Sequence, residues 1–184
     1  MRPYLGFANA VTSAGLVAGF VALLFVRTKP ALAAGLVLLA AILDVVDGVV
    51  ARRRGGGGAF GARLDSLSDV LCFCAVPAFA VCQRVPSELS VPAAAVGAIV
   101  VLSGAWRLAR FPLLNEEAYF VGVPTPTSGV LIMVLAWLAP GPVVLAGALV
   151  LGGLGLTTIR VPTVFTVGAR ARQCVRSRVG RSAV

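Results

Sequence analysis

Phe7 to Val26 contains no charged side chain and is an apolar run of membrane-spanning length. Similar runs follow at Pro30 to Ala51, Gly61 to Val85 and Pro92 to Phe111. A chain that is 59% hydrophobic, with a mean hydropathy of +0.97, lies outside the range of soluble globular proteins. It reads as an all-α polytopic membrane protein. The first run could pass for a secretion signal, but no polar region with a clear cleavage site follows and the next span opens almost at once, so it is read as a retained helix. Thr127 to Leu138, which is short and stops at the turn APGP, and Val143 to about Thr158 bring the expected number of transmembrane helices to about six. Residues 1–167 are then one transmembrane domain, and residues 168–184 a basic tail.

Six spans put both ends on one side. If that side is the cytosol, Arg2, Arg52, Arg53, Arg54, Arg63, Arg107, Arg110, Arg160 and the five tail arginines lie inside, and only Arg27, Lys29 and Arg84 lie outside. This asymmetry accounts for most of the net charge of +9. It predicts a multi-pass protein of the cell (inner) membrane with both termini in the cytoplasm. The tail can also hold anionic membrane lipid, at about 1 kcal/mol per basic residue near the surface. Nucleic-acid binding is excluded as a partner class, because the tail has no aromatic platform. Cys72, Cys74, Cys82 and Cys174 show no CxxC spacing and the chain has no His, which removes zinc sites and disulfide frameworks.

Four of the seven acidic residues, Asp44, Asp47, Asp65 and Asp69, fall in one stretch, DVVDGVVARRRGGGGAFGARLDSLSD. On a helix Asp44 and Asp47 share a face with Gly48 and Ala51. Asp65 and Asp69 share another, with Gly61 one turn earlier. If the basic, glycine-rich loop between them joins antiparallel helices, the two pairs lie at the same depth, about 12 Å from the loop at about 1.5 Å per residue. Gly55 to Gly58 lacks the GK[ST] ending of a phosphate loop and no strand precedes it, so it is a connector. Like charges in a partly buried setting cannot all stay ionised unaided, so a cation is expected. Oxygen-only ligands favour Mg²⁺ or Mn²⁺, and four carboxylates can hold two ions. The bland alternative is a solvated surface hairpin, against which the apolar flanks weigh.

Asn9 and Thr12, at i and i+3 in the first span, would lie near the depth of the aspartates; a helix-start Asn and a Thr bonding back to the chain is the other reading. Gly48 allows a ligand close to the backbone, and Arg52 one turn on can meet phosphate oxygens. Each also has a plain reading, Gly48 as a packing glycine and Arg52 as a cytosolic helix end. Carboxylate-held metals at headgroup depth suit phosphoryl transfer from a lipid pyrophosphate, with a free carboxylate taking a proton from the attacking hydroxyl.

Asp44, Asp47, Gly48, Ala51, Arg52, Gly61, Asp65 and Asp69, with eight residues between Arg52 and Gly61, match the signature of the CDP-alcohol phosphatidyltransferases, and the chain resembles that family over about its first 125 residues. The resemblance implies a helical membrane enzyme, usually a homodimer, that displaces CMP from a CDP-linked lipid with an alcohol and uses two divalent metals. It implies that Asp44, Asp47 and Asp65 bind metal, that Asp69 is the base while also lying close to the metals, and that Gly48, Ala51, Arg52 and Gly61 line the CDP site.

RLARF at Arg107 to Phe111 and FVGVPTP at Phe120 to Pro126 resemble the bacterial phosphatidylserine synthase branch, with Val123 where Leu is usual and Pro112 where an Asn often follows. That resemblance implies CDP-diacylglycerol and L-serine as substrates. Arg107 and Arg110 are then candidates to pair with the serine carboxylate, or are flanking charge. The alternatives are transfer to glycerol 3-phosphate or an inositol phosphate, which would be expected to need a larger basic cluster, and a metal-ion transporter, which would need acidic residues in more spans than the second and third.

Overall fold

In the computed structural model the described residues are 6–53, 58–110, 120–121, 124–156 and 160–161. The tail 168–184, Gly55 to Gly57 and most of the connector 111–123 lie outside them. So do the side chains of Ala51, Arg52 and Arg53.

The chain is an all-helical bundle. Helix α1 spans Phe7–Phe25, α2 Pro30–Arg53, α3 Ala59–Asp69, α4 Val76–Arg84, α5 Ser90–Arg110, α6 Thr125–Leu138 and α7 Gly141–Leu156. Proline sits in the first turn of α2 (Pro30), α5 (Pro92), α6 (Pro126) and α7 (Pro142), where its missing N–H breaks no helical bond. Four stretches are long and apolar enough to cross a membrane: Phe7–Phe25, Pro30–Val50, Ala59–Arg84 and Ser87–Arg110. The α6 and α7 helices, of 14 and 16 residues, are shorter apolar helices that pack on each other and on α5. The expected apolar runs are all helical, with ends that shift by about two residues, and the last two are shorter than the four of membrane-spanning length.

Two features depart from the expected architecture. Phe120–Val121 and Arg160–Val161 form a two-residue antiparallel pair that ties the connector before α6 to the chain after α7. The third span is also not one regular helix: Val70–Ala75 is a π-helical segment between α3 and α4. Pro77, just inside α4, has no N–H to offer the carbonyl four residues back, which favours a wider turn upstream of it.

The core between α1 and α2 is made of small side chains. Thr12, Gly15, Ala18, Gly19 and Ala22 are the buried stripe of α1, and Ala33, Ala34, Val37 and Ala40 belong to the buried part of α2 that packs against it. Lipid tails are as apolar as leucine, so helices in a membrane gain by close van der Waals approach, which small residues permit. The large apolar residues point outward instead, among them Val17, Phe20, Leu24, Leu38, Leu39, Ile42 and Val45. A surface of that kind is suited to lipid.

The π segment packs tightly against three helices. A side chain on Gly19 would collide with Cys72, one on Gly104 with Cys74, and one on Gly129 with the backbone of Phe73. Three consecutive residues therefore dock against α1, α6 and α5.

Candidate active site

One end of the bundle gathers the start of α1, the end of α2, the start of α3, the end of α5 and the start of α6. The acidic residues of α2 and α3 meet there. One carboxylate oxygen from each of Asp44, Asp47 and Asp65 lies within 4.8 Å of the others, and Asp44 and Asp65 approach closely enough for a side-chain hydrogen bond. Asp47 is 5% exposed, while Asp44 and Asp65 are half-buried, so the cluster has a closed side and an open one. Three converging carboxylates without a cationic partner inside the group repel one another, and an oxygen-only donor set of this size fits a hard divalent cation. The site is thus fit for a divalent metal ion by the chemistry of its donors.

Asp69 stands apart from that trio. It is one turn beyond Asp65 on α3, 8% exposed, and interacts electrostatically with Asp44, Asp65 and Arg107. A carboxylate adjacent to a metal-binding trio but outside it can act on a proton rather than on the ion. The two-against-two arrangement read from the sequence is therefore three together and one set back.

Helix α1 supplies the supports. Thr12, buried at 7% exposure, places its hydroxyl 2.5 Å from Asp47 Oδ2 and 3.1 Å from the Ala8 carbonyl oxygen. The one hydroxyl proton thus lies within reach of two acceptors, one on the backbone and one in the site. Asn9 is half-buried, and its Oδ1 would be 2.8 Å from a Cβ on Gly61. Gly61 lacks a side chain where Asn9 approaches α3. Gly48, next to Asp47, is half-buried; the side chains of Ala51 and Arg52, expected beside it, are outside the described residues.

The structure separates the two arginines that the sequence treats alike. Arg110 is exposed, whereas Arg107 is half-buried and its Nη1 donates to Thr125 Oγ1 at the start of α6. The RLARF and FVGVPTP segments therefore meet through one hydrogen bond. Arg107 also lines a narrow cavity with Ser103, Thr125, Ser128, Cys74 and Gly155. Ser103 and Ser128 escaped the sequence reading. Ser103 lies one helical turn before Arg107, and a polar residue in that position of an apolar helix was the available signal.

The sequence model of the CDP-alcohol phosphatidyltransferase family matches residues 5–160. The chain belongs to that family. Its divalent-metal chemistry agrees with the aspartate cluster. Among similar proteins, the CDP-diacylglycerol–serine O-phosphatidyltransferase of Methanocaldococcus jannaschii is 35% identical over 133 residues, 72% of this chain and 61% of that one. The Helicobacter pylori protein of the same name is 31% identical over 137 residues, 72% of this chain and 58% of its own. The archaetidylserine synthase of Methanothermobacter thermautotrophicus is 38% identical over 100 residues, 53% of this chain and 42% of that one. The matches thus cover about six-tenths of the length of the first two relatives.

Proposed function

We propose that the chain transfers a phosphatidyl group from CDP-diacylglycerol to the hydroxyl of L-serine, giving phosphatidylserine and CMP. The observation that carries this reading is the convergence of a carboxylate trio, a set-back Asp69 and a half-buried Arg107 at one end of a membrane bundle. Relatives whose names differ in the lipid agree in the serine, which supports that acceptor over glycerol 3-phosphate or an inositol phosphate. Acidic residues are absent from α1, α5, α6 and α7, which speaks against an ion path through the bundle.

Asp44, Asp47 and Asp65 would hold two divalent ions, Mg²⁺ or Mn²⁺. Bound there, the ions neutralise the pyrophosphate and the CMP that leaves. Gly48, Ala51, Arg52 and Gly61 line the nucleotide side. Asp69 takes the proton of the serine hydroxyl as its oxygen bonds to the phosphorus bearing the diacylglycerol and the bond from that phosphorus to CMP breaks. The protein works in the inner membrane as a homodimer, with the site facing the cytoplasm; Arg52 and Arg53 at the end of α2, with Arg63, Arg107 and Arg110, outnumber Arg27, Lys29 and Arg84 at the other end and support that orientation.

CMP release from CDP-diacylglycerol by the purified full chain tests the reading. Release is expected with L-serine and Mn²⁺ or Mg²⁺, is abolished by EDTA, and is restored by adding the metal back. Release driven by glycerol 3-phosphate or an inositol phosphate instead would reject serine as the acceptor.

In this scheme Thr12 orients a metal ligand. Thr12→Val should weaken Mn²⁺ binding by about 10–100-fold, the range for loss of a supporting bond to a ligand, with Thr12→Ser close to wild type. Titration of the protein with Mn²⁺ followed by electron paramagnetic resonance reads this directly, and equal affinities in all three proteins would remove Thr12 from the site.

A further inference from the structure

Helices α6 and α7 are too short for the bilayer that their neighbours fit. At about 1.5 Å per residue, the 14 residues of α6 rise about 21 Å and the 16 of α7 about 24 Å, against about 30 Å of hydrocarbon in a typical bilayer and about 36 Å for the 24 residues of α2. Neither short helix is displaced along the bundle. At the site end Thr125, the first residue of α6, is held by Arg107, and its Cγ2 would lie 3.7 Å from a Cβ on Gly104. At the other end the α6–α7 turn is seated on the end of α4, where a Cβ on Gly141 would lie 2.6 Å from the Arg84 carbonyl oxygen and 3.1 Å from Val85 Cα.

Tilt does not make up the difference, because it shortens the projected length further. Ala139 to Pro142 contains no lysine or arginine that could reach outward past the turn. The last carbonyls of α6 have no helical partner and hydrocarbon offers them no water, so the turn meets the polar boundary where it stands. The two tryptophans of the chain mark the same limits, since indole side chains settle at the membrane–water boundary. Trp106 is 70% exposed near the site end of α5, and Trp137 is 47% exposed one residue before the end of α6. Thr125 lies against Gly104 and Arg107, which bracket Trp106, and Trp137 follows it by twelve residues; the two tryptophans therefore differ in depth by about 20 Å.

We propose that the α6–α7 face is a contact surface for a locally thin bilayer and gathers short-chain lipids, while the α1–α2 face takes lipids of ordinary length. The occupant is lipid and not a second copy of the chain. An exposed tryptophan stands at each end of this side of the bundle, and Leu131, Val134, Leu149 and Val150 are large, apolar and exposed at depths between them.

Bromine quenching of tryptophan fluorescence tests this, with the full chain reconstituted in mixtures of dimyristoleoyl- and dierucoyl-phosphatidylcholine in which one or the other is brominated at its double bond. Trp106→Phe leaves Trp137 as the reporter on α6. Combining Trp106→Phe and Trp137→Phe with Leu39→Trp moves the reporter to α2, where Leu39 is 44% exposed; Ile42→Trp, at a position 53% exposed, takes its place if that variant does not fold. Trp137 should favour the short-chain lipid by about threefold or more in apparent affinity, and the α2 reporter should show no such preference. Equal preferences on the two faces overturn the proposal. So does a Trp137 that neither brominated lipid quenches, which would mean that a second copy of the chain, or another protein, covers the face.

Discussion

Asp69→Asn is expected to lower turnover by about 10²–10⁴-fold, the usual worth of a positioned general base, with Mn²⁺ affinity and the KM for CDP-diacylglycerol close to wild type. The split follows from where Asp69 sits. It lies outside the trio of Asp44, Asp47 and Asp65, so losing its charge leaves that donor set complete. It is also buried, and asparagine has nearly its shape, so the substitution changes proton acceptance more than packing. Single-turnover CMP release alongside metal titration separates the outcomes. Unchanged turnover would remove Asp69 from the base role, and a parallel loss of metal affinity would make it a ligand instead.

The second large effect is structural. In Gly129→Ala the new Cβ would lie 2.6 Å from the Phe73 carbonyl oxygen and 2.7 Å from its Cα. Those are backbone atoms, so no rotamer change relieves the clash; α6 must move. Overpacking of this kind costs about 1–3 kcal/mol or more. For a chain of this size that corresponds to a fall in Tm of about 2–12 °C. Because α6 begins with Thr125, its displacement should also loosen Thr125 from Arg107. Gly153→Ala is the matched comparison, since nothing lies within 4 Å of a Cβ there, and it should leave Tm unchanged or slightly raised. Equal Tm values in detergent for both variants would show that α6 is not seated on the backbone at Phe73.

These residues differ in how visibly the sequence announces them. The spans are legible because apolar runs in this chain stop at prolines and charges, and both signals act locally. The aspartate cluster is legible because two short helical spacings and one loop fix it: Asp44 with Asp47, Asp65 with Asp69, and a turn between. Thr12 is visible as a hydroxyl near the start of an apolar span, yet its partner is 35 residues away and only the packing of α1 on α2 supplies it. Arg107 stands out by motif, but its separation from Arg110 depends on which side of α5 meets α6. Residues three apart on a helix differ by about 60° in direction, enough to put one in a cavity and the other in the open. The π segment is hidden for a different reason. VLCFCA contains no glycine or charge, and its only local hint is Pro77 just downstream.

That segment gives the third span two independent clocks. Up to Asp69 the helix keeps the phase that turns Asp65 and Asp69 inward; beyond Ala75 it keeps another, set by Val76, Ala80 and Val81 in the core. A wide turn holds one residue more than the α turn it replaces, so removing one residue would let Val70–Ala75 close into α-helix with both flanks near their present directions, whereas removing a second would rotate everything past it by about 100°. The segment can therefore shed a residue more readily than it can gain bulk, since Cys72, Phe73 and Cys74 are seated against Gly19, Gly129 and Gly104. The extra residue is slack taken up between a reactive end and an inert one.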